Sequence, residues 1–87
     1  MAKRLTGAVL YQAVIRNLAL ELAEDYGVPI AEYKGEVADV YDIGSDMQPV
    51  LCVTFTRLRN GHTIQVTNIH PGDDGTVIQR AAGIEFR

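Results

Sequence analysis

Cysteine is nearly missing from this chain and tryptophan is missing altogether. A lone Cys52 excludes an internal disulfide and any zinc site built on a cysteine cluster. Long apolar runs are missing too. Between Leu5 and Leu22 the hydrophobic positions are interrupted by Gln12, Arg16, Asn17 and Glu21, which excludes a membrane span, and no N-terminal stretch has the form of a signal peptide. A cytoplasmic protein is the expectation. Bases are scarce in the middle of the chain: from Glu21 to Asp46 eight acids face only Lys34. No glycine pattern suits phosphate, because Gly72 and Gly75 lack the lysine and the strand–loop–helix context. No cofactor motif is present, and none is expected to be needed.

What is present suits one globular α+β domain spanning residues 1–87, with residues 1–5 as a loose basic tail. A hydrophobic share of 47 % beside 22 % charged residues argues against disorder. A chain of this size buries only about 60 % of the surface its unfolded form exposes. Oligomerisation is a common remedy, so a homodimer is expected.

Thr6 suits the cap of a helix that runs to Tyr26, where Gly27 supplies a left-handed residue and Pro29 prevents continuation. At 100° per residue Tyr11, Val14, Ile15, Leu18, Leu22 and Tyr26 share one arc, the predicted core face. Val9, Ala13 and Leu20 form a thinner stripe opposite it. That stripe is either a dimer interface or a set of single exposed apolar residues, which need no explanation. Residues 30–34 read as a connector. Glu36 to Ile43 reads as a strand with Val37, Tyr41 and Ile43 on one face and Ala38 and Val40 on the other, which suggests an interior or covered position.

The strongest local signal runs from Leu51 to His70. Asn60-Gly61 between two alternating β-rich runs predicts a hairpin with a two-residue type I′ turn. Opposed residues then sum to 121. One face pairs Phe55 with Val66, Arg57 with Ile64, Val53 with Asn68 and Leu51 with His70. The other pairs Thr54 with Thr67, Thr56 with Gln65, Leu58 with Thr63 and Cys52 with Ile69. The first face belongs against the helix, and the second suits water or a polar contact. Asn68 opposite Val53 fits poorly, so a bulge near Asn68 that carries Ile69 onto the core face is expected. After the loop from His70 to Gly75, Thr76 to Gln79 matches a capping box for a short helix ending at Gly83, although Val77 and Ile78 also suit a strand. A last strand covers residues 84–87. The whole reads as one principal helix on an antiparallel sheet of three or four strands.

Candidate chemistry is thin. Cys52 and His70 are near in sequence register, but adjacent strand positions point to opposite faces, so a nucleophile–base pair is disfavoured. His70, Asp73 and Asp74 are the one grouping that could serve a small ligand or metal. Asp39, Asp42 and Asp46 lack the spacing of a calcium loop. Arg57, Arg59 and His62 at the hairpin tip, with Lys3 and Arg4, could meet phosphates as a two-stranded ribbon, although the acidic balance opposes it. The leading expectation is a non-enzymatic interaction module, of the size and acidity of phage and mobile-element inhibitors or accessory proteins. It would dock its sheet face, hairpin tip or acidic segment on another protein. The partner-binding candidates are Arg57, Arg59, His62, Thr54, Thr56, Gln65 and Thr67, and the dimer candidates are Val9, Ala13 and Leu20. A nucleic-acid-binding ribbon is the alternative, and a ligand or metal binder using the His70–Asp74 loop is the next. No membrane partner is expected.

Overall fold

The computed structural model of the chain describes residues 7–43, 48–77 and 83–87, without the side chains of residues 42, 43, 48 and 49. Helix α1 spans Gly7–Tyr26, a 3-10 turn spans Ile30–Glu32, and strands β1 to β4 span Tyr33–Ile43, Gln48–Arg57, Thr63–Ile69 and Gly83–Phe86. The sheet order is β1-β2-β3-β4 and every neighbouring pair is antiparallel. The protein is therefore a two-layer α+β fold in which one long helix packs on a four-stranded meander. The proposed caps at Thr6 and most of the proposed helix over 77–82 lie outside the described residues.

Alanines and leucines give α1 its local propensity, and its buried row is Leu10, Val14, Leu18 and Leu22, one residue every four. Tyr11 and Ile15 flank that row half-buried, whereas Tyr26 is exposed, its ring centre 6.2 Å from that of Phe86 of β4 and tilted 48° to it. The core face thus lies one residue N-terminal of the predicted arc, with Leu10 gained and Tyr26 lost. A four-residue step advances 400°, so a straight row drifts about 40° per turn and follows the helix as it crosses the sheet obliquely. Gly27 takes φ +66°, and the Val28 N–H donates to the Leu22 carbonyl at 3.1 Å to close the helix end.

The hairpin forms, but not with the two-residue turn. Paired residues of β2 and β3 sum to 119: Phe55 faces Ile64, Thr54 faces Gln65 and Val53 faces Val66. Residues 58–61 make a four-residue loop, in which the Gly61 N–H donates to the Arg57 carbonyl at 2.9 Å and the Arg57 N–H to the His62 carbonyl at 2.8 Å. A type I′ turn needs positive φ at both centres, yet only Gly61 has it, at +74°. The Asn60 side chain instead accepts the His62 N–H at 3.0 Å. Packing explains the choice. The predicted register set Arg57 against Ile64 and Val53 against Asn68, while the observed one matches apolar with apolar throughout. An offset of two keeps the parity, so each side chain stays on its predicted face.

The expected bulge is present. Between Leu51 and Val53 the partners jump from Ile69 to Val66, and Asn68 adopts φ +58°. Asn tolerates that conformation at a cost of about 1 kcal/mol. Burying Ile69 completely offsets it, since such a side chain contributes about 1.5–3 kcal/mol. The core then comprises the helix row with Leu51, Val53, Phe55, Ile64, Val66 and Ile69.

One further expectation fails. Strand β1 is an edge strand, not an interior one. A bulge at Ala38, between the Val37–Val53 and Asp39–Cys52 pairs, breaks its alternation and puts Val37 and Tyr41 on opposite faces. Apolar residues at both parities therefore reported a kink, not two covered faces. Of the segment that suits either a short helix or a strand, Thr76 and Val77 are described: Val77 bridges Pro71, and the Gly72 N–H donates to the Thr76 carbonyl at 2.7 Å.

Gly35 sets how closely helix and sheet approach. A Cβ there would lie 2.6 Å from Cε1 of Phe55 and 2.8 Å from Cγ2 of Ile15. Gly35→Ala is expected to lower the unfolding free energy by about 1–3 kcal/mol through overpacking. The sign is diagnostic, because in an uncrowded strand the same change would gain about 0.5–1 kcal/mol. Denaturant midpoints of the two proteins decide it.

Candidate interaction surfaces

The hairpin tip is less free than its composition implies. Arg57 donates through Nε and Nη2 to Oε1 of Glu32, at 3.1 and 2.7 Å, and its guanidinium lies 5.8 Å from the Tyr33 ring centre. Beside it the Leu58 N–H donates to the Glu32 carbonyl at 3.1 Å. Glu32 therefore joins the turn before β1 to the end of β2 through both main chain and side chain. Arg59 reaches the same carboxylate oxygen only at 3.9 Å and is 79 % exposed, whereas Arg57 is 25 % exposed. The hydrogen bond from Arg57 holds the Glu32 carboxyl below its ordinary range, and the same bond holds the guanidinium charged beyond its ordinary range. His62 lies exposed beside the turn.

The face away from the helix carries the predicted polar rows. Pairing aligns Glu36, Thr54, Gln65 and Glu85 across all four strands, and Lys34, Thr56 and Thr63 beside them. Thr54, Thr56, Gln65 and Thr67 are all half-buried. Thr67 donates its hydroxyl to the Gly83 carbonyl at 3.3 Å, and the Gln65 amide donates to Sγ of Cys52 at 3.5 Å. Cys52 is 5 % exposed and lies opposite Asp39, not Ile69. Ile69 pairs with Leu51, and His70 is exposed in the following loop. The Tyr41 hydroxyl donates to Asp39 at 2.9 Å, which raises its pKa. Acids outnumber bases on this face, and its one aromatic among the described residues is Tyr41, exposed and bonded to Asp39.

On the helix, Val9 and Leu20 are 62 % and 52 % exposed. Ala13 between them is covered from within the chain. Gly75, at φ +85°, sits so close that a Cβ on it would overlap the Ala13 methyl, and the Asn17 side-chain amide donates to the Gly75 carbonyl at 2.8 Å. The loop after β3 is thereby clasped to one flank of α1. Within it Asp74 accepts bonds from the Thr76 N–H, at 3.0 Å, and the Thr76 hydroxyl, which lower its pKa. Among the described residues no three His, Cys, Asp or Glu side chains converge as metal ligands.

The opposite flank of α1 is open. Between Tyr11, Ile15 and Arg16 of the helix and Gly35 to Val37 of β1 runs a groove of about 490 Å³. Its floor is the outer edge of β1, and sequence reasoning missed it because β1 read as interior. The signal available was the crowding of acids along one strand, since charge is how proteins blunt an exposed edge. A second hollow of about 370 Å³ lies by Gln12, Asn17 and Asp74 beside the clasped loop. Among the described residues no helix is long and apolar enough to cross a membrane. Comparison with family models, curated proteins and solved structures returns no match. The surfaces are read from their own chemistry.

The Glu32–Arg57 pair makes part of the stability acid-labile. A carboxyl whose folded pKa is depressed contributes above its unfolded pKa and loses that contribution as pH falls through the folded value. Wild-type protein is expected to lose stability through and below the ordinary carboxylate range. Glu32→Gln is expected to be less stable at neutral pH and to show a shallower acid slope. Thermal melts across that pH range read both effects.

Proposed function

We propose that the protein is a non-enzymatic interaction module that docks on protein through the outer edge of β1 and the groove beside it. The observation that carries this reading is the position of β1, an 11-residue strand at the border of the sheet with an open groove along it. The Leu58–Glu32 bond and the outward bond from Arg57 to His62 fix the alternation of main-chain groups. Glu32, Lys34 and Glu36 turn theirs toward β2, so Gly35 and Val37 turn theirs outward. An extended segment can add there as a fifth strand, with its alternate side chains entering the groove over Tyr11, Ile15 and Val37. The expected acidic segment is largely this strand and its approach, which unites two of the surfaces named from sequence.

Other readings have less support. Phosphate contacts need free cations, and Arg57 is committed to Glu32, while on the open face Glu36 and Asp39 outnumber Lys34 and Glu85 pairs with Arg87. Catalysis by Cys52 would need a base, and its sulfur accepts from Gln65 in a buried site.

Immobilised wild-type protein, exposed to an extract of its own cells, is expected to retain a protein that the Val37→Pro variant loses. Proline removes an outward N–H and leaves the bonds to β2 in place. Tyr11→Lys charges the groove without touching the backbone and is expected to lose the same protein. Retention undiminished in both variants, each shown folded by its helical circular dichroism, overturns the reading.

A further inference from the structure

We infer that the occupant of the β1 edge is a second copy of the same chain, added antiparallel about a two-fold axis at Gly35. This rests on the reading of that edge as the docking surface. The argument is self-complementarity. A two-fold pairing through Gly35 sets Lys34 opposite Glu36 of the partner subunit, and Glu36 opposite Lys34 of the partner subunit. Charge therefore alternates about the axis residue so that each copy satisfies the other. Lys34 and Glu36 are both exposed, and no ion pair to either is found among the described residues.

The main chain agrees with the charges. Gly35 turns its N–H and carbonyl outward, so the two copies exchange both bonds at the axis, and the Val37 N–H reaches the carbonyl of the partner's Tyr33. The Tyr33 N–H is already held by the Ile30 carbonyl, which ends the ladder there. The bulge at Ala38 ends it on the other side. Lys34 and Glu36 then occupy non-hydrogen-bonded pairs, where facing side chains approach most closely. On the groove face Gly35 brings no side chain to the axis, and Val37 meets the partner's Tyr33 beside Tyr11. The ladder and the groove supply affinity, and the four charges select the register. The result is one eight-stranded sheet with both helices on the same face.

Light scattering tests it. Wild-type protein is expected at about twice the chain mass of 9.5 kDa. Lys34→Glu and Glu36→Lys each place like charges opposite one another twice, and each is expected to weaken the dimer roughly tenfold or more. Mixing the two single variants restores opposite charges across the axis and is expected to recover a heterodimer. The doubly swapped chain, K34E/E36K, is expected to recover a homodimer. Leu20→Glu on the exposed helix stripe is expected to leave the mass unchanged. A monomeric wild type overturns the second copy as occupant, and so does a dimer that both single swaps leave intact or that Leu20→Glu dissociates. In those cases the docking edge itself stands or falls separately, on whether Val37→Pro loses its captured protein.

Discussion

One helix about 10 Å across must cover a sheet whose four strands, at about 4.8 Å spacing, spread over roughly 15 Å. It cannot cover them all. The row from Leu10 to Leu22 therefore seals the middle of the sheet, where Val53, Phe55, Ile64 and Val66 are almost fully buried, and leaves two flanks to other devices. On one flank the loop from His70 to Val77 closes over Ala13, with Gly75 pressed on the helix and Asn17 holding it. On the other flank the groove beside Tyr11, Gly35 and Val37 stays open. The asymmetry of these flanks, not any single residue, is what gives the fold a surface to offer.

Charge follows the same division. The basic hairpin tip looks like a contact patch in sequence because Arg57, Arg59 and His62 stand together with no acid nearby. Folding delivers an acid from 25 residues earlier, and the tip becomes a joint between the start of β1 and the end of β2. On the open face Asp39 accepts the Tyr41 hydroxyl and Glu85 pairs with Arg87, which leaves Glu36 exposed on β1. The doubly basic tip thus has one of its arginines paired and Arg59 left exposed, and the edge that reads as internal in sequence exposes Lys34 and Glu36.

Much of this was legible, for reasons of range. The extent of α1, its end at Gly27, the faces of β2 and β3, and the bulge at Asn68 all follow from periodicity and turn chemistry within a few residues. The sequence also places Thr54, Thr56, Gln65 and Thr67 on the open face. What was not legible depends on distant partners. The four-residue turn beats Asn-Gly chemistry because apolar pairing across the whole hairpin outweighs one local preference. The kink at Ala38 imitates a strand covered on both faces. Neither Glu32–Arg57 nor Asn17–Gly75 leaves any trace in spacing, and the groove exists only because of where β1 lies.

The clasp between Asn17 and Gly75 also bears on the order of assembly. Every strand pairs with its neighbour in sequence, so the meander can form hairpin by hairpin, over short loops between β1, β2 and β3 and a longer one before β4. The hydrogen bond from Asn17 spans 58 residues and gains nothing until helix and sheet have met. A contact of that range adds nothing to an isolated hairpin and is lost without breaking any strand pairing. A native fluctuation that lifts the loop would bare the Ala13 side of the helix while the four strands stay paired. Opening this clasp, on the flank of the helix opposite β1, would cost less than unfolding the sheet.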